Sequence, residues 1–196
     1  MKFVTPGTRC SRRSFLRRSI GAAVAVSLPA RVWAQASGAN SAIRVAVLGV
    51  HSKGHQHVLD FLKVPGVRVV AVCDPDRTLL ERERAEAQQR GEDLLTFTDL
   101  RKLYESPEVD AVCIATPNHW HSLAAIWALQ AGKDVYVEKP ISHNIWEGRK
   151  LVEAARKYQR IVMAGTQNRS NEGLAAAFRH IAEGHLGPIR MVRGFC

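Results

Sequence analysis

Cysteine is scarce and irregularly spaced: Cys10, Cys73, Cys113 and Cys196 are the only four in 196 residues. That excludes a disulfide framework. Aromatic residues make up only 7% of the chain. No apolar run approaches the roughly 20 residues that a membrane-spanning helix needs. Acidic residues are missing altogether from the first 34 positions, which nevertheless hold Lys2, Arg9, Arg12, Arg13, Arg17, Arg18 and Arg31. The formal net charge of +10 is therefore mostly local, and the rest of the chain sets 21 Lys and Arg against 18 Asp and Glu. A balance that mild gives no reason to expect a nucleic-acid partner. Internal repeats and low-complexity tracts are also lacking.

What is present is globular: 46% hydrophobic, 23% charged, 14 Gly and 8 Pro. Residues 1–34 have the order of an export signal: a basic start, the weakly apolar stretch Ile20 to Pro29, then Ala30-Arg31-Val32-Trp33-Ala34. Arg12 and Arg13 followed by Phe15-Leu16, with an Ala- and Gly-rich apolar stretch, resemble a bacterial twin-arginine (Tat) signal. The expectation is a periplasmic protein, with the Tat translocon as partner during export and cleavage after Ala34 or Ala36. A membrane anchor is the alternative, and ten apolar residues are too short for it. Residues 35–42 read as a flexible linker.

From Ile43 onward short β-branched runs alternate with helical patterns. Ile43–Leu48, Val67–Cys73, Val109–Ala115, Asp134–Val137 and Ile161–Ala164 read as strands buried on both faces, with Leu94–Phe97 as a weaker one. His55–Val64, Asp76–Arg90, Thr98–Glu105, His119–Ala131, Ile145–Gln159 and Glu172–Glu183 read as helices, the fifth opened by an Asn144/Glu147 capping box. Cys73 and Cys113 fall in apolar runs and read as buried small hydrophobes. Such alternation implies right-handed βαβ units and an α/β fold, a doubly wound parallel Rossmann-type sheet of order 3-2-1-4-5-6 over residues 43–187. Past Gly187-Pro188, residues 189–196 read as a new strand, the first of a second domain.

The chemistry is expected at the carboxyl ends of the strands. Gly49-Val50-His51-Ser52-Lys53-Gly54 closes the first strand and opens the first helix, with His51 in place of the middle glycine of a dinucleotide fingerprint. Free N–H groups at the helix start would receive a pyrophosphate. Asp74 ends the second strand, where a carboxylate accepts hydrogen bonds from ribose hydroxyls or caps the next helix. Its charge favours NAD over NADP, partly offset by Arg77. Ala115-Thr116-Pro117-Asn118-His119-Trp120-His121 follows the fourth strand, beside the topological switch point, and Glu138-Lys139-Pro140 follows the fifth. A lysine there, near a dinucleotide's positive ring, is suited to proton transfer.

Taken together, the GVHSKG turn, the CDPD strand end, ATPNHWH, the stretch from AGKDVYVEKP to GTQNRS and the GPIRMVRG ending resemble the Gfo/Idh/MocA oxidoreductase family, in particular its Tat-exported members. The resemblance spans residues 43–196. It implies an NAD(P)-dependent enzyme acting on a sugar or cyclitol hydroxyl. Lys139 matches the family's proton acceptor or donor, in a Lys–Pro bond that is commonly cis. Thr116, Pro117, Asn118 and His121 match the segment lining the nicotinamide side. Glu138 matches a residue near the cofactor ribose, and Gln167 and Asn168 the loop facing the nicotinamide. Gly49, His51, Ser52, Lys53 and Gly54 match the pyrophosphate turn, with Asp74 and Arg77 at the adenosine end. Family members also carry a second α/β domain that completes catalysis and forms the homo-oligomer. That domain is expected to be truncated at residues 188–196, leaving a dinucleotide-binding half from which turnover is not expected.

Two further readings stand beside the dehydrogenase: an NAD-dependent glycoside hydrolase of the same fold, and a non-catalytic dinucleotide- or sugar-binding module. His55/His57 and His119/His121 form two H-x-H pairs, but residues two apart on a helix do not face one another, so no metal site is expected. Trp120, Trp127 and Trp146 read as core or domain-interface packing.

Overall fold

The computed structural model describes residues 42–194. The expected export signal and nearly all of the linker lie outside the described residues, as does Cys196. Six strands form one parallel sheet: β1 (Ile43–Leu48), β2 (Val67–Cys73), β3 (Leu95–Phe97), β4 (Ala111–Ile114), β5 (Asp134–Glu138) and β6 (Val162–Gly165). Their spatial order is β3-β2-β1-β4-β5-β6, as the alternation of patterns implied. The helices are α1 (Lys53–Phe61), α2 (Arg77–Gln89), α3 (Leu100–Tyr104), α4 (Asn118–Gln130), α5 (Ile145–Tyr158) and α6 (Glu172–Ala182). A 3-10 turn, Gln167–Ser170, follows β6. No described helix is long and apolar enough to cross a membrane.

The period-two alternation of each strand feeds two cores. Ala46, Leu48, Val112, Ile114, Val135 and Val137 pack with residues of α3, α4 and α5 on one face. Val45, Val47, Val72 and Cys113 pack with Val58 of α1 and Leu80 and Ala87 of α2 on the other. Each fully buried Val or Leu contributes about 1.5–3 kcal/mol relative to leaving it in water. Both described cysteines are free and buried, and burial pushes the Cys73 thiol up to about 12 and that of Cys113 higher still. They are inert filler.

Differences from the sequence reading have local causes. The fourth strand is shorter than Val109–Ala115, although Asp110 N and Ala115 N still donate to the Arg44 and Leu48 carbonyls of β1, each at 2.8 Å; the Val109 carbonyl accepts instead from Lys133 Nζ at 2.7 Å. Glu147 accepts from His143 N at 3.1 Å, not from Asn144's own N–H, while Asn144 Oδ1 accepts from Glu147 N at 2.9 Å. The box is thus shifted by one residue. The strand expected at 189–196 does not form over the described part: residues 189–194 are exposed and irregular. A strand needs a neighbour to satisfy its backbone, and no described strand lies beside this segment. Helix α6 buries none of its residues, leaving Phe178 67% exposed. Trp146, expected in the core or at a domain interface, is 68% exposed and so not part of this domain's core.

The amino edge of the sheet is tied by charge. Arg44 at the start of β1 donates from Nε to Asp110 Oδ2 at 3.0 Å and from Nη2 to Oδ1 at 2.8 Å. These side-chain hydrogen bonds hold the Asp110 carboxyl below its ordinary 3.8. The folded-state value is depressed, so the contribution is complete above the ordinary value and is lost as pH falls through the lowered one. Because both groups are partly exposed, Arg44→Met is expected to cost only about 1 kcal/mol at neutral pH. Thermal melts of the two proteins should converge in acid; a gap that persists there would contradict the assignment.

Candidate functional site

Helix starts leave N–H groups without intrahelical partners. In α2, α3, α5 and α6 a side chain takes one of them: Asp76, Asp99, Asn144 and Asn171 accept from Thr78, Arg101, Glu147 and Leu174 N respectively. Helices α1 and α4 have no such side-chain cap. These are the two helices that follow β1 and β4, the adjacent strands at which the chain order reverses. Their free donors and positive dipole ends make the space above those strands an anion receptor.

Two glycines shape the turn between β1 and α1. Gly49 has φ +78°, and a Cβ there would meet the Ala115 carbonyl oxygen at 2.8 Å. A Cβ on Gly54 would sit 1.7 Å from the Gly49 oxygen. The turn, the first helix and the end of β4 thus approach as closely as bare backbone permits. His51 occupies the intervening position, exposed, on the rim of the crevice.

Val50, buried in this turn, is fixed at both of its backbone groups. Its N–H donates to Asp74 Oδ2 at 2.9 Å, and its carbonyl accepts from Arg82 Nη2 at 2.8 Å. Asp74 is 8% exposed and also accepts from Asp76 N through Oδ1 at 2.9 Å. It does not cap α2; Asp76 does. Each Asp74 oxygen keeps lone-pair capacity for a further donor.

A crevice of about 680 Å³ opens over these elements. Gly49, His51, Asp74, Thr116 and Pro117 line it together. The Thr116 hydroxyl oxygen is buried there without a hydrogen-bond partner among the described residues. Thr98, Asp99, Leu100 and Arg101, which follow β3, also line it, as do Trp120 and Trp127 of α4. The sequence reading missed these as site residues. The strand order itself held the signal for the first four, because β3 lies on the same carboxyl edge. Hydrogen bonds from Arg101 hold the exposed Asp99 carboxyl down at about 2.

Other expected site residues are not among those that line the crevice. Ser52 and Lys53 are exposed at the start of α1, Gly54 is buried behind the turn, and Asn118 is exposed at the start of α4. Arg77 lines an adjoining cleft of about 340 Å³ with Arg84, Thr96 and Thr98, the last of which also lines the crevice. His121, expected to line the nicotinamide side, is instead 1% exposed: Nδ1 lies 2.6 Å from the Pro140 carbonyl and Nε2 2.8 Å from that of Thr116. Set between these two carbonyls, the buried ring packs the turn after β4 against the turn after β5. Lys139 is exposed at the end of β5, and its peptide bond to Pro140 is cis. Glu138, expected near a ribose, is 6% exposed, with Oε1 2.8 Å from His57 Nε2. Gln167 Nε2 donates to the same Oε1 at 3.3 Å, while Asn168 is exposed.

The two histidines of α1 face apart, as their spacing required. His55 Nδ1 lies 2.7 Å from Glu83 Oε1 on α2, the opposite direction from His57. His55, Glu83 and Glu86 offer ligand atoms within 4.8 Å of one another. Arg82 Nη2 already lies 2.7 Å from Glu83 Oε1, so the cation at this carboxylate is a guanidinium.

The oxidoreductase family described as having an NAD-binding Rossmann fold (GFO_IDH_MocA) matches residues 43–166. Among curated relatives, glycosyl hydrolase family 109 protein 2 of Shewanella sp. strain ANA-3 is 32% identical over 78% of this chain and 38% of its own length. The alpha-N-acetylgalactosaminidase of Shewanella oneidensis is 32% identical over 62% of this chain and 28% of its own. The chain thus spans well under half the length of these relatives. Among solved structures, myo-inositol 2-dehydrogenase of Lactobacillus plantarum superposes with a TM-score of 0.69 at 25% identity, covering 76% of this chain and 43% of that one. Scyllo-inositol dehydrogenase of Lactobacillus casei, solved with NAD(H) and scyllo-inositol, has a TM-score of 0.68 at 22% identity, covering 76% and 43%, and shares the fold.

The turn yields a direct test. In Gly54→Ala the new methyl meets backbone, which cannot move aside, so overpacking of about 1–3 kcal/mol is expected. Fluorescence titration with NADH should show about a tenfold or greater loss of affinity. Gly91→Ala, with φ +73° but open space, should lower only the melting temperature. Equal NADH affinities in the two variants would count against the turn as the binding element.

Proposed function

The chain belongs to the Gfo/Idh/MocA oxidoreductase family and carries its NAD-binding Rossmann fold, and from that premise we propose that it serves oxidation or reduction of a sugar or cyclitol hydroxyl, with Lys139 moving the proton. The observation that carries this reading is the crevice itself: two uncapped helix starts meet over β1 and β4, with Asp74 at one end and an unpartnered Thr116 hydroxyl in the wall. That donor and acceptor set fits a dinucleotide. The N–H groups of α1 would receive the pyrophosphate, Asp74 the ribose hydroxyls, and the Thr116 hydroxyl would find its missing partner. A carboxylate at Asp74 repels a 2′-phosphate, which favours NAD over NADP.

Bound NAD supplies a hydride acceptor at its nicotinamide ring. Lys139 would take the hydroxyl proton on Nζ, and the carbon that bears that hydroxyl would be the source of the hydride. His121 fixes the turn after β4 relative to the one that carries Lys139, so the lysine's starting point is set by packing rather than by substrate. Trp120 and Trp127 exclude water along one wall of the crevice.

A second reading has its own support, since curated relatives at 32–33% identity are named as glycosyl hydrolases. In that case oxidation of a hydroxyl would let the glycosidic bond eliminate and release the aglycone, water would add across the resulting double bond, and return of the hydride and proton would leave no net change in NAD. Product analysis separates the two: accumulated NADH marks the dehydrogenase, and released aglycone without NADH marks the hydrolase. In either reading Lys139→Met should leave NADH affinity near wild type in this chain and, in a form that also carries the expected second domain, lower turnover by about 10²–10⁴-fold. Unchanged turnover would remove Lys139 from the chemistry.

A further inference from the structure

We propose that His57 is a positioning residue for Lys139, acting through the buried carboxylate of Glu138; this rests on the reading of Lys139 given above. His57 sits on α1 and is 8% exposed. Its ring packs edge-on to Tyr136 of β5 with centroids 5.4 Å apart, which fixes the imidazole plane and aims Nε2 at Glu138 Oε1, 2.8 Å away. The other carboxylate oxygen, Oε2, accepts the backbone N–H of Lys139 at 3.2 Å. One carboxylate thus joins the helix behind the pyrophosphate turn to the main chain of the lysine.

The carboxylate has no easy alternative position. Gly165 of β6 lies against it: a Cβ there would come within 3.1 Å of Glu138 Cα and 3.2 Å of its Cδ. Its remaining partner, the Gln167 amide, is at 3.3 Å, well beyond the His57 contact. A buried carboxylate that loses its closest donor is left with an unmet acceptor and without its main anchor. That loss weakens the hold on the Lys139 N–H. The link spans 81 residues of sequence, and it couples the part of the fold that would grip a dinucleotide's phosphates to the part that presents the amine. His55, two residues earlier, faces Glu83 and has no share in this path.

Amide hydrogen exchange of the full chain, followed by NMR, tests the link without requiring turnover. In His57→Phe the ring packing is kept and the donor is lost, so exchange at Lys139 should accelerate about tenfold or more. The amides of Val112 and Cys113 in β4 should exchange as before. His57→Gln, whose amide nitrogen can stand near the Nε2 position, should restore the Lys139 rate. Should the Phe variant not fold, His57→Asn, too short to reach Glu138, is read in the same way. The proposal is overturned if Lys139 exchange is unaltered, if β4 accelerates equally, or if Gln fails to restore what Phe or Asn removes. Lys139→Met reports separately: unchanged turnover in that variant removes the lysine's chemical role and leaves the exchange result standing.

Discussion

Orphan N–H groups at a helix start must find a partner, and in this domain their distribution decides where chemistry is placed. Asp and Asn side chains satisfy one such group at each of the helices α2, α3, α5 and α6. At α1 and α4 no side chain does so, and the sheet order brings these two starts together. The protein has in effect left its donors free at one point on its surface. Glycine at positions 49 and 54 lets the backbone come close enough to use them, and the Asp74 and Arg82 contacts to Val50 keep the turn from closing on itself. Preorganisation of this kind moves the cost of ordering the turn from binding to folding.

Around that point histidines act as fasteners. His121 joins two strand-end turns through a pair of backbone carbonyls, and His57 and His55 fix buried carboxylates on either side of α1. Each contact links segments that carry the candidate chemistry to the scaffold behind them. The consequence is a site whose parts share supports: the turn after β4 and the turn after β5 cannot shift independently. On the proposed reading, in which a hydroxyl, a C–H bond and a nicotinamide ring must be aligned, such coupling would matter, because small misplacements cost rate steeply.

The fold was legible because its signals are local. Val45, Val47 and Val72 face one core and Ala46, Leu48 and Ala71 the other, so short unbroken apolar runs, the mark of strands buried on both faces, carried the information. Gly49, Asp74 and Thr116 could be placed together because topology alone sends the carboxyl ends of β1, β2 and β4 to one edge. Less legible were the roles that depend on distant partners. Nothing near Glu138 in sequence shows that it turns toward His57, nor does anything near His121 show that both its nitrogens will meet carbonyls. Arg77, expected at the adenosine end from its nearness to Asp74, lines a cleft that meets the crevice at Thr98. The strand expected at 189–196 illustrates the same limit: apolar β-branched residues permit a strand, but only a neighbouring strand makes one.

Isothermal titration of the intact chain with NAD and with NADP addresses the central claim most directly. The account predicts saturable heat with NAD, a weaker response to NADP through repulsion at Asp74, and loss of the NAD signal in Gly54→Ala. The absence of heat with either nucleotide, or an NAD signal indifferent to the Gly54 methyl, would contradict it.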